Sequence, residues 1–401
     1  ANNCYPECAH FRQPIITARR VQEIIGIPAG TNGVNESAKR IAKPARTQDL
    51  RSESRGQSSP RNAAGTAALG NHWGIVFHSG VYGNLIGGTT AGAGNVVSGN
   101  RGGGIHFNGS TSNTIQGNLI GTNPAGTAAI GNGEIGIQIY NGANNNVIGG
   151  TTSAARNIIS GNGQYGIDVQ TNTSGTQIQG NYIGTNAAGT SNVGNAWSGI
   201  RLIYSVTNTT IGGTASGARN LVSGNSGHGI TVEASSSSNT IQGNYVGTNA
   251  AGTSAVGNGQ IGIAFSASSS NTIGGTAAGA GNLVSGNNDI GITLQSSNSN
   301  TVQGNYVGTN AAGTAALGNG CDGIRIYASS SNNVVGGTTA AARNIISGNG
   351  PSGCSGIYVE NSNGTTIQGN YVGTNAAGTA AIPNRYGIYQ RWGSGTTIGG
   401  T

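Results

Sequence analysis

Apolar residues in this chain fall in short runs that alternate with polar ones, and the same runs return along most of its length. A Gly-Ile pair followed by alternating residues recurs with its isoleucine at 75, 105, 137, 167, 200, 230, 263, 292, 324, 357 and 388, eleven copies 29 to 33 residues apart. Two further runs follow each copy. One is Asn-x-Ile/Val-x-Gly, with Thr in some Asn slots; the other is Asn-x-Ile/Val, as in Asn95-Val96-Val97 and Asn305-Tyr306-Val307. A period of two marks strands. Gly and Asn punctuate the junctions, and both tolerate the positive φ of sharp corners. Three short strands per repeat predict a coil, and coils stacked at about 4.8 Å pair each strand in parallel with its copy in the next. The expected architecture is an all-β parallel β-helix, a solenoid of about eleven three-strand coils over residues 62–401, behind a non-repetitive N-terminal arm or cap over residues 1–61.

The coils alternate in type. Odd coils insert a loop between strands two and three, as at residues 151–156; even coils insert one after strand three, as at residues 250–258. The segment Gly-Asn-Tyr/Leu-Val/Ile-Gly-Thr-Asn therefore begins at Gly117, Gly180, Gly243, Gly304 and Gly369, two coils apart each time. The inward slots of strand one pair Ile with Phe, Ile, Val or Leu down to Ile357 and Val359; the last copy, Ile388 and Gln390, puts a polar residue there, as suits a coil partly facing water.

Stacking turns each slot into a column. Asn84, Asn113, Asn146, Asn239, Asn271, Asn300 and Asn333 form an inward column whose amides must bond to one another and to corner backbone. Outward on strand two stands a Thr column from Thr114 to Thr397, which suits an exposed strand and keeps an ice-binding rod among the alternatives. Outward on strand three, aliphatic residues alternate with Leu119, Tyr182, Tyr245, Tyr306 and Tyr371. Such a stripe is either covered by the even-coil loops, each with one apolar residue, or is a contact stripe for a second rod or for sugar rings.

Composition changes the picture little. Aromatic residues make up 5% and charged residues 7%, with 75 Gly and no Met; such a chain folds only because its few apolar residues sit where a narrow core needs them. The net charge of +7 belongs to the arm, which holds ten Lys/Arg against five acids, while residues 62–401 hold eight Arg, six acids and no Lys. That partition argues against a nucleic-acid face. No apolar run is long enough for a membrane span. The start at Ala1 is what signal-peptide cleavage leaves. Cys321 and Cys354 occupy one slot in consecutive coils, so their Cα atoms fall within disulfide range and a bridge is expected, which points to an extracellular or cell-surface location. Cys4 and Cys8 pair with each other or anchor the arm. A zinc site of all four cysteines would require the arm to reach the tenth coil.

The Gly-Ile-x-Val and Asn-x-Ile-x-Gly-Asn pattern resembles the repeats of bacterial right-handed parallel β-helix proteins, the pectate-lyase-like superfamily. The resemblance covers residues 62–401 and implies the right-handed fold, while the superfamily spans polysaccharide lyases and hydrolases, adhesins and surface proteins. Its enzymes need clustered acids with a base, or paired carboxylates. Here Glu134, Asp168, Glu233, Asp289, Asp322 and Glu360 are scattered. Asp168 and Arg201 share a slot in adjacent coils, as in an ordinary surface ion pair, and His72, His78 and His106 read as surface histidines. The expectation is therefore no catalytic residue, no metal and no cofactor. The leading reading is an extracellular structural protein that stacks head to tail into a filament. Its contacts would come from Ile15, Ile16, Ile24 and Ile25 of the arm and from Thr397 and Ile398 of the last coil. A polysaccharide-binding or polysaccharide-degrading β-helix is the alternative, followed by a monomeric adhesin.

Overall fold

The computed structural model describes residues 70–350 and 353–400. They form three parallel sheets of eleven, eleven and ten strands. Sheet one holds the Gly-Ile strands from Ile75–Phe77 to Tyr386–Arg391, sheet two runs from Leu85–Gly87 to Thr397–Ile398, and sheet three from Val96–Val97 to Tyr371–Val372. Every strand pairs with its equivalent one coil away and in register, for example Ile167 with Ile200 and Tyr182 with Leu221. The described residues form a parallel β-helix of ten full coils and a two-strand eleventh, as the periodicity predicts. The arm, including Ile15, Ile16, Ile24 and Ile25, with Cys4 and Cys8, lies outside the described residues, as does the expected boundary at residue 61.

One continuous core fills the coil interior, made of the inward residues of all three sheets. At its first end, Phe77 and Phe107 stack with ring centres 5.2 Å apart. The expected inward Asn column is present: the Asn113 backbone N–H and Nδ2 both donate to Asn146 Oδ1, at 2.8 and 3.2 Å. Two more columns run beside it. Asn181, Asn220 and Asn244 belong to one that starts at Asn95, and Asn195, Asn225 and Asn258 to one that starts at Asn100. In each, an amide oxygen accepts from the previous coil and Nδ2 closes the corner on a backbone carbonyl, so polar groups that burial would otherwise strand are paired.

The Cys321–Cys354 disulfide is formed, with Cα atoms 5.1 Å apart. Both sulfurs are thus committed. The neighbouring Asp322 carboxylate accepts from Arg325 Nε at 2.7 Å and from the Ser355 N–H at 2.6 Å, so these three residues do not form a metal ligand set.

Candidate functional site

The three outward faces differ in chemistry. All six acids, all four histidines and all three tryptophans of residues 70–400 lie on a sheet-one strand or within four residues of one, as do Arg101, Arg201, Arg325, Arg385 and Arg391. Sheet two presents threonine, glutamine and aliphatic residues. Three arginines, Arg156, Arg219 and Arg343, sit in the odd-coil loops beside sheet three.

Along sheet one the aromatic and polar groups collect in three clusters. In the first, His106 lies between Trp73 and Tyr140, with ring centres 4.4 and 4.8 Å away, and its Nε2 is 2.9 Å from the Tyr140 hydroxyl. His106 is 9% exposed and its Nδ1 has no partner. Burial pushes its imidazole below the usual histidine range, which favours the neutral ring near pH 7. His106 is therefore a buried histidine, contrary to its expected surface placement, because Trp73 from the preceding coil covers it. His72 and His78 are exposed.

The middle cluster corrects a second expectation. Asp168 is fully buried; Arg201 Nε and Nη2 donate to its two oxygens at 2.9 Å each, and Gln170 donates to one of them. The Arg201 guanidinium lies 3.9 Å over the Tyr165 ring, which meets Trp197 edge-on at 5.0 Å. A surface ion pair contributes little, but this one has been taken out of water by the aromatic residues of the preceding corner. Burial also raises the Tyr165 phenol above its ordinary value. Trp197 and Tyr204 remain 48% and 55% exposed beside it. In the third cluster, Tyr358 and Tyr389 stack at 5.5 Å, Tyr386 leans on Tyr389, and Arg391 lies 3.9 Å over Trp392.

The stripe on sheet three is largely covered. Ile158, Leu221, Leu283 and Ile345 are buried, and Tyr182, Tyr245, Tyr306 and Tyr371 are half-buried. The even-coil loops fold back over it and stack on one another: the Ala187 N–H donates to Gly126 O at 2.8 Å and the Ala250 N–H to Gly189 O at 2.8 Å. The loops carry glycine where they approach the rings most closely. A Cβ at Gly189 (φ +68) would lie 2.8 Å from Tyr182 Cε2, so only glycine fits. Three of the four rings are then capped by odd-coil arginines: Arg156 over Tyr182 at 3.9 Å, Arg219 over Tyr245 at 3.9 Å and Arg343 over Tyr371 at 4.0 Å. Three of the four ring faces in the Tyr column are thus occupied by guanidinium groups, and Tyr306 has no such cap among the described residues. Of the other expected contact residues, Thr397 and Ile398 form the exposed sheet-two strand of the last coil.

No family model and no curated protein matches the chain. Among solved structures, the chain is similar to the periplasmic alginate epimerase AlgG (17% identity, TM-score 0.39, covering 72% of this chain and 50% of that one). It is also similar to the A-module of the Azotobacter vinelandii mannuronan C-5 epimerase AlgE4 (13%, 0.42, 84% and 87%) and to a DFA-IIIase from Arthrobacter chlorophenolicus A6 in complex with GF2 (15%, 0.41, 74% and 63%). The aligned part thus spans half of the AlgG chain.

Proposed function

We propose that this β-helix is an exported glycan-binding protein whose ligand lies along the outward face of sheet one. The observation that carries this reading is the collection of all three tryptophans of residues 70–400 on or beside that one face, interleaved with tyrosines and hydrogen-bonding side chains. Flat rings with polar neighbours suit pyranose faces and hydroxyls. The disulfide supports export. No described helix is long and apolar enough to cross a membrane.

Affinity electrophoresis against a panel of neutral and acidic polysaccharides tests the reading. At least one polymer should retard the protein, and Trp197→Ala with Tyr389→Ala should abolish most of the retardation. Retardation unchanged by both substitutions would remove sheet one from consideration.

The His106–Tyr140 pair favours a degrading version as a second reading, since a neutral imidazole bonded to a phenol can take up one proton while the phenol gives another. It predicts new chain ends in the digested polymer, lost in Tyr140→Phe with binding retained.

The filament reading loses ground. Its donor residues lie outside the described residues, and the exposure of Ile398 is equally what a coil shows when more chain follows it.

A further inference from the structure

The arginines beside sheet three have no place in the glycan reading of sheet one, and their arrangement is regular. Arg156, Arg219 and Arg343 occupy the same slot of coils three, five and nine. Each follows a single 3-10 turn, at Ser153–Ala155, Ser216–Ala218 and Ala340–Ala342. The two odd loops with glycine in that slot, Gly94 and Gly281, form no such turn. A Cβ at Gly281 would lie 2.0 Å from the Gly304 carbonyl oxygen, so the turn and the arginine come together or not at all.

These guanidiniums are held but not neutralised. Arg156 Nε donates to Gly180 O at 3.2 Å and Arg343 Nε to Gly369 O at 3.1 Å, and each planar group rests on a tyrosine ring. The ion pairs among the described residues are Arg201–Asp168 and Arg325–Asp322, so none of the described acids pairs with this column. Between Arg156 and Arg219 is a shallow pocket lined also by Tyr182, Ser216, Tyr245 and Ala250. Arg219 Nε, in its wall, is buried without a hydrogen-bond partner, whereas its two counterparts reach a carbonyl. The two guanidiniums line one pocket, and an oxyanion in it would bridge them.

We propose that this column is a second binding line, distinct from sheet one, for a linear acidic glycan laid parallel to the coil axis. Successive cation slots are two coils apart, about 10 Å at the spacing of stacked strands. That distance is comparable to two sugar units of an extended chain. One oxyanion on alternate sugars, carboxylate or sulfate, then meets Arg156, Arg219 and, past the Gly281 gap, Arg343. Planar guanidinium matches either oxyanion in bidentate fashion.

The test is retention of the full chain on immobilised dextran sulfate, on a polyuronate and on neutral dextran, in rising salt. Because the basic arm also attracts polyanions, it is run in a background with the arm's Lys and Arg changed to Gln. The expected result is retention on one or both charged matrices, lost as salt screens it, with no retention on neutral dextran. The two charged matrices distinguish sulfate from carboxylate. R156Q/R219Q/R343Q should weaken binding about tenfold or more, a factor that corresponds to only a few modest charge contacts. R343Q alone should do less than R156Q or R219Q, which share the pocket. Thermal melts check that the variants fold, and the polyanion should raise the melting temperature of the parent only. Equal retention of parent and triple variant, or equal retention on charged and neutral matrices, overturns the proposal. The comparison of parent and triple variant is repeated in a Trp197→Ala/Tyr389→Ala background, where the arginine-dependent part of the retention should persist, so a contribution from sheet one is read apart from that of the arginines.

Discussion

Sheet one and sheet two share one interior, register and strand spacing, yet their outward faces have little in common. On sheet two, Thr210, Thr240, Thr272 and Thr301 follow one another in register across four coils. On sheet one, the slot after the isoleucine reads His106, Gln138, Asp168, Arg201, Thr231 over five coils. Where one residue type, or one that differs only in strand-favouring shape, satisfies a slot in most coils, the slot answers to the fold. Where the residue changes from coil to coil and becomes charged or aromatic, the fold does not dictate it, and binding chemistry is the natural account.

The largest effect that would sharpen this contrast is expected at Arg201. Removing it by Arg201→Ala leaves the Asp168 carboxylate buried with only Gln170 for company. The expected loss is about 3 kcal/mol in urea unfolding, since breaking one side of a buried pair strands a charge. Asp168→Asn combined with Arg201→Gln should recover much of it. If the double variant is as unstable as the single one, the pair is more than an electrostatic unit.

Close behind comes the interior. Asn220 accepts from the Asn181 N–H and Nδ2 at 3.0 and 3.1 Å, and donates to Ile178 O at 2.7 Å and Asn244 Oδ1 at 2.9 Å. Asn220→Ala strands groups in two neighbouring coils, at about 2 to 3 kcal/mol. A loss near zero would mean that the columns relax around a gap, and that uniformity inside the coil is not a stability requirement.

Much of this was readable from the chain because stacking makes sequence period and spatial neighbour the same thing. The sheets, the disulfide and the Asn113 column follow from slot counting alone. The Asn95 and Asn100 columns carried the same signal but read as corner punctuation. The sheet-one clusters were harder to see. Trp73, Trp197 and Trp392 sit two and three residues before and four after their isoleucines, at offsets that become one face only once the corners are folded. The burial of Asp168 was invisible for the same reason, since its cover comes from side chains of neighbouring slots. The Arg156, Arg219 and Arg343 repeat stands openly in the odd loops, but nothing in the spacing says that each guanidinium turns onto the tyrosine of the next coil.

A smaller effect separates the faces by pH. His106 and His228 both have imidazoles lowered by burial, opposed at His228 by Asp289. The unfolded chain then binds protons more readily than the folded one between the lowered values and about 6.5. Stability contributed by the neutral rings is complete above that range and is lost as pH falls through it. Melting temperature should therefore drop from about pH 7.5 to 5.5, above the usual carboxylate range. His106→Gln with His228→Gln should flatten the slope, and an unchanged slope would place the titration elsewhere.

The smallest effect is the most discriminating. Thr240 is outward on sheet two, flanked in register by Thr210 and Thr272. Its β-branched side chain suits a strand, and that is all this account asks of it. Thr240→Val should leave stability within about 0.5 kcal/mol, as surface substitutions usually do, and should leave glycan retardation unchanged. Thr240→Ala should cost no more than strand propensity. If instead the Val substitution, which keeps shape and removes only the hydroxyl, abolished a ligand or ice-growth activity, the uniform face would be the functional one. The rule that uniform slots serve the fold while varied slots serve binding would then fail for this solenoid.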